Sequence, residues 1–219
     1  VLRKNIGTVS DADGFFTLQL KPEYDNDTLM FSCIGYYPVK IKVSDFKQLN
    51  DKQIYLSQKV INLKEAIVKA KAFKYRTLGV KASSKNIRTG VTATKGAECG
   101  ILIKLNKPAM IQTLHFNIAG CEYDTVFYRL NIYSVKGSDI DSNVLQNPVY
   151  ITITKDEIKD YMSFDLKNYN IRVKGDFLIT LEYVKDLGPG HIWFCSSLFH
   201  ASYFRETSQA EWMSAPLGG

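Results

Sequence analysis

After Leu78 the chain is written almost wholly in short apolar runs separated by turn residues, and no stretch of useful length repeats with a helical period. Runs at Cys99–Leu105, Ile111–Ala119, Val126–Val135, Val149–Thr154, Met162–Leu166, Phe177–Val184, Ile192–Cys195 and Ala201–Arg205 predict about eight strands, the usual number for a jelly roll. Clusters at Lys136–Ser142, Asn147-Pro148, Lys174–Asp176 and Asp186–Gly190 supply turns between them. In Phe177–Val184, Phe177, Ile179, Leu181 and Tyr183 share one face and Thr180 and Glu182 the other. A strand with one buried and one wetter face is expected, as in a sandwich. The 13 Tyr and 12 Phe, against 4 Met, suit pleated, half-buried surfaces. The fold class is therefore all-β.

The segment before Leu78 is organised differently. Asp11-Ala12-Asp13-Gly14 reads as a turn, and Phe15–Leu20 alternates as a strand. Lys21–Asp27 is a second turn, Thr28–Ile34 a near-continuous apolar strand, Tyr36–Val43 another, and Gln53–Leu56 a short one. Asn62–Lys71 is the one serious helix candidate, because Asn62 and Glu65 have capping-box spacing, although Ile67-Val68 favours a strand. The expected division is a small sandwich over 1–68, a Lys-rich linker over 69–77 and a larger sandwich over 78–219.

The 28 basic and 22 acidic residues are interleaved, giving a net charge of +6 without a basic block. Nucleic-acid binding needs a concentrated basic face, so it is not expected. Cys33, Cys99, Cys121 and Cys195 form no CxxC pair and no metal-ligand spacing, which argues against zinc. Cys33 and Cys195 sit in apolar runs, as buried free cysteines do. No apolar run is long enough to span a bilayer as a helix, and the chain opens on Val1 as a sequence entered partway through would.

Residues 6–68 resemble the carboxypeptidase regulatory-like domain, a transthyretin-like β-sandwich. Ile6–Phe16 is similar to its G-T-x-T/S-D-x-x-G-x-F turn, Asp27–Tyr36 to its D-x-L-x-x-S-x-I-G-Y strand, and Leu63–Val68 to its closing L-x-E-V-V-V. The resemblance implies a closing strand at Asn62–Lys71, and a domain truncated at its N-terminus because the family's opening strands lie upstream. Arg129–Tyr133, Phe164–Ile171 and Gly175–Tyr183 resemble the C-terminal sandwich of uncharacterised secreted and outer-membrane proteins of Gram-negative bacteria. That resemblance implies a jelly roll similar to carbohydrate-binding modules, in the periplasm, at the outer membrane or on the cell surface.

Catalytic motifs are missing: there is no G-x-S-x-G elbow and no H-E-x-x-H pair, and His115, His191 and His200 stand singly. Asp11, Asp13 and Gly14 open like a calcium loop, but the later oxygen ligands are not there, which leaves a turn. No cofactor and no metal are expected. Ligand contacts are expected from rings that a sheet can hold rigidly, Trp193, Trp212 and Tyr123, with Glu182 and His191 beside them. The expected function is a non-catalytic cell-envelope binding or scaffolding module for a glycan or an envelope protein. The alternative is a carbohydrate-processing enzyme using Asp165 or Glu182, which requires two carboxylates facing each other across a cleft.

Overall fold

The computed structural model describes residues 1, 6–11, 13–59, 74–91 and 93–218. The Asn62–Lys71 segment, expected as closing strand or helix, lies outside them, as does the first part of the 69–77 linker. The described chain is nearly all β, as its alternating runs predict.

Near the N-terminus, β1 (Thr28–Phe31) pairs antiparallel with β2 (Val39–Lys42), Thr28 opposite Lys42. The chain then turns directly into α1 (Val43–Gln48). Tyr36–Val43 was expected to remain strand to its end. Instead Val43 and Phe46, three residues apart on one helix face, are buried together against Leu29. Asp45 stands in the first turn of α1 and Lys47 in its last, the polarity the helix dipole favours, and Lys47 Nζ reaches Asp25 at 2.5 Å. Phe16, Phe31 and Phe46 close this small core, Phe31 lying 5.7 Å from Phe16 and 5.4 Å from Phe46 between ring centroids.

Phe15–Leu20 keeps its alternation, with Phe16, Leu18 and Leu20 packed inward, but it joins no ladder among the described residues. Gln53–Leu56 likewise forms no strand, and only Gln58 beyond it bridges to Tyr36. The Asp11 turn is present: its carboxylate accepts the N–H groups of Asp13 (3.1 Å) and Phe15 (2.8 Å), and Gly14 takes a φ of 87°. Cys33, expected inside, is exposed, because β1 ends at Phe31 and Ile34-Gly35 begins a turn. Ile34 packs instead against the larger core that follows.

That larger core lies between two antiparallel layers, whose strands are β3 (Arg88–Val91), β4 (Glu98–Ile103), β5 (Ala109–Met110), β6 (Thr113–Phe116), β7 (Ile118–Cys121), β8 (Thr125–Lys136), β9 (Asp139–Asn143), β10 (Val149–Thr154), β11 (Met162–Asp165), β12 (Arg172–Val173), β13 (Phe177–Tyr183), β14 (Ile192–Cys195), β15 (Ser202–Arg205) and β16 (Met213–Ala215). One layer is a seven-stranded sheet in the order β10-β8-β13-β4-β15-β16, with β9 paired to β8. Facing it across the core are three smaller sheets, β3-β14-β7, β6-β11 and β5-β12, each of which contributes side chains to that core. Val126, Tyr128, Leu130 and Ile132 of β8, with Leu181 and Tyr183 of β13, pack across the core on Ile118, Ile192 and Phe194. Tyr128 donates its hydroxyl to that of Tyr183 at 3.2 Å, so neither buried phenol oxygen is left without a partner.

Lys136–Ser142, expected as a turn, is a hairpin. Only Gly137-Ser138 turns, and β9 returns along β8 with Val135 opposite Ile140 and Lys136 opposite Asp139. The end of β4 is tied to the loop before β13 by Asp176, whose carboxylate accepts Lys104 Nζ and the Leu105 N–H, both at 2.9 Å. The Lys104 bond, then the Leu105 N–H, hold the Asp176 carboxyl below its ordinary value. Because the folded-state pKa is depressed, the stabilisation is complete above the unfolded value near ~4 and is lost as pH falls through the folded one. Asp176→Asn is therefore expected to lower stability at neutral pH and to flatten its decline in acid, read as urea midpoints measured over that range.

Candidate functional site

The sandwich presents two outer faces, and the residues singled out in the sequence divide between them. On the seven-stranded sheet, β8, β13, β4 and β15 run side by side, and their registers place Arg129 opposite Glu182, Glu182 opposite Glu98, and Glu98 opposite Arg205. The result is a row of alternately shared charges, Arg-Glu-Glu-Arg, across neighbouring strands. Arg129 Nε and Nη2 donate to Glu182 Oε2 at 3.0 and 2.6 Å. Arg205 Nε donates to Glu98 Oε2 at 2.8 Å. Asn131 Nδ2 lies 2.8 Å from an oxygen of each carboxylate, and the Thr180 hydroxyl donates to Glu98.

Two like charges directly opposite each other destabilise a sheet, so the Glu98–Glu182 pair depends on the flanking guanidinium groups and the shared amide. Burial pushes the Glu98 carboxyl above its ordinary value, against the pull of Arg205; the charge of Glu182 acts in the same upward sense. Glu182 was expected on a wetter face. It is instead completely buried, because Arg129, Asn131 and the neighbouring strands cover it. Trp212 also belongs here: Arg205 lies 4.5 Å over its ring, and Tyr133 meets it edge-on at 5.6 Å. Trp212 is a half-buried cover for the charge row.

Asp165 is on the opposite outer face, exposed on β11, where it accepts the Lys167 N–H at 2.9 Å. Its strand carries Met162 and Phe164 into the core, and Asp165 itself is turned to solvent. Asp165 is exposed and Glu182 is sealed among Arg129, Asn131 and Glu98, so the two share no open cleft of the kind the alternative of a carbohydrate-processing enzyme requires.

The outer face of β3-β14-β7 is built in another way. Trp193, in the central strand, pairs with Gly90 of β3 on one side and Gly120 of β7 on the other. A Cβ at Gly90 would lie 2.7 Å from Trp193 Nε1, and one at Gly120 would lie 3.2 Å from its Cε3. The indole therefore lies flat across both neighbours, over positions that only glycine leaves low enough. His191 precedes Trp193 on the same face, its ring 5.5 Å away and tilted by 21°. Arg88, opposite Cys195, approaches Trp193 from the other end, its guanidinium carbon 5.0 Å from the ring centroid. Arg88, Trp193 and His191 thus form one strip along β14.

Glu122 fixes the His191 end by accepting its backbone N–H at 2.9 Å, with a carboxylate oxygen 3.7 Å from Nδ1. Tyr123 supports the strip from below. It is buried; its hydroxyl donates to the Gly190 carbonyl at 2.5 Å and accepts the Ala93 N–H at 3.3 Å, anchoring the loop that leads into His191. Being buried, it is not part of the exposed strip. Beyond Arg88 and Cys195 the strip meets a groove of about 540 Å³, lined in part by Lys81, Ser83, Ser84, Ser196, Ser197 and His200. His115 is half-buried and stacked on Tyr161 at 4.9 Å.

The class these observations define is an all-β sandwich module carrying an aromatic strip on one face and a sealed charge row on the other. Residues 1–68 match the family model of the CarboxypepD_reg-like domain, and the remaining residues lie outside that match. No curated protein and no solved structure matches the chain.

Proposed function

We propose that this chain is a non-catalytic, extracytoplasmic binding module of the cell envelope, and that its ligand is a glycan received on the Arg88–Trp193–His191 strip. The observation that carries the reading is Trp193, laid flat over Gly90 and Gly120. One face of a pyranose ring is lined with C–H groups and stacks on an aromatic face held rigidly in a sheet. A tryptophan destined only for the core would not need two cleared neighbours on an outer face. The regulatory-like match over 1–68 supports a spacing or docking role for the N-terminal part and supplies no catalytic residue.

Trp193→Ala is expected to weaken glycan binding about tenfold or more, equivalent to ~1.4 kcal/mol, while leaving stability nearly unchanged. A glycan array followed by titration of the best saccharide into wild type and variant measures this. Silence on the array, with an envelope protein recovered by pull-down in a Trp193-independent manner, would sink the glycan reading.

A further inference from the structure

We infer that the glycan is acidic, a uronate-bearing oligosaccharide whose carboxylate is taken by Arg88. This inference rests on the binding strip proposed above and names its ligand class.

Arg205, Arg129 and Arg88 differ in what else holds them. Arg205, over Trp212, is saturated by Glu98, and Arg129 by Glu182. Arg88 also lies over a tryptophan, but it is exposed and no carboxylate among the described residues pairs with it. The acidic groups around the strip are otherwise engaged: Glu122 with His191, and Asp160 with Lys85 at 2.7 Å. A guanidinium resting on an indole keeps its planar fork of N–H donors free at the edge, and that fork matches the two oxygens of a carboxylate.

A uronate ring stacked on Trp193 would carry its carboxylate on the ring edge, within reach of such a fork. The groove beyond Arg88 extends the match. The exposed hydroxyls of Ser83 and Ser84 suit sugar hydroxyls, and Lys81, exposed and without an ion pair among the described residues, supplies a further cation for a second uronate. The overall charge of +6 favours approach of a polyanionic chain.

The experiment compares oligogalacturonate with the same oligomer fully methyl-esterified, which keeps the sugar skeleton and removes the charge. Wild-type protein is titrated with each, alongside Arg88→Met, Arg88→Lys and Trp193→Ala. The free acid is expected to bind about tenfold or more tighter than the ester, and to weaken as salt is raised. Arg88→Met should erase that preference while retaining weak binding of both forms, Arg88→Lys should recover part of it, and Trp193→Ala should weaken both. Equal affinity for acid and ester overturns the acidic assignment but leaves a neutral glycan on the strip. If neither these oligomers nor any neutral saccharide binds, the acidic assignment and the glycan reading fall together. Since Arg88 is exposed, a folding defect in its variants is not expected, and thermal melts check it.

Discussion

Replacing Glu98 with leucine is expected to destabilise the protein by on the order of 3–5 kcal/mol, the cost of leaving a buried charge without its partner. Glu98 is completely buried and Arg205 almost so, and the two are joined at 2.8 Å through Arg205 Nε. Without Glu98, Arg205 keeps the Tyr133 hydroxyl, which accepts from Nη2 at 2.8 Å, the ring of Trp212, and the charge of Glu182, which Arg129 already holds. Thr180 and Asn131 lose an acceptor at the same time. The informative comparison is Glu98→Leu with Arg205→Met, which removes both charges and keeps the volume. The pair itself is worth little against an apolar replacement, so the double variant should recover most of what the single one loses. Urea denaturation of wild type, both single variants and the double variant closes the cycle. If the double variant loses as much as the two singles added together, the row is not an interacting unit.

The charge row shows why much of the site was hidden in the sequence while much of the fold was not. Val149–Thr154 and Ile192–Cys195 are strands with the limits their residues suggest, because alternation and flanking turns are local signals. Arg129, Glu182, Glu98 and Arg205 come from separate segments, and only the strand registers align them. Alternation along β13 correctly sets Glu182 on the face away from the core. It carries no information about a second layer of side chains covering that face. Likewise His191 and Trp193 are neighbours in sequence, whereas Arg88, Gly90 and Gly120 acquire their meaning only when β3 and β7 close around β14. The Val43–Gln48 helix leaves no periodic signal because six residues, under two turns, are too few to show one; burial of Phe46 decides it. The Asp139–Asn143 strand was missed because it is polar and takes its place from β8 rather than from its own residues.

Gly100→Ala, a change of one methyl group, is expected to be among the most damaging small substitutions in the chain. Gly100 sits in β4 opposite Thr180 of β13 on one side and Tyr203 of β15 on the other. A Cβ there would run into the Ile179 carbonyl oxygen and stand 2.6 Å from the Thr180 Cα. Both obstacles are main chain, so no rotamer change relieves the clash, and β4 must move away from β13. Glu98 is two residues away on the same face, so a displaced β4 would also pull the Arg205–Glu98–Glu182 row out of register. The expected loss lies at the upper end of the ~1–3 kcal/mol that overpacking costs, or beyond it. Gly137 supplies the contrast: it lies at the tip of the β8–β9 hairpin with a φ of 64° and open space where a Cβ would be. Gly137→Asn should therefore be nearly neutral, since asparagine tolerates the left-handed conformation. Because Gly100 belongs to the charged layer and Trp193 to the opposite one, destabilisation by Gly100→Ala should outrun any change in ligand affinity of the protein that remains folded. Denaturation midpoints and titration of the same preparation separate the two effects. A Gly100→Ala protein as stable as Gly137→Asn would show that the two strands can part at no cost, and that the row does not depend on their close approach.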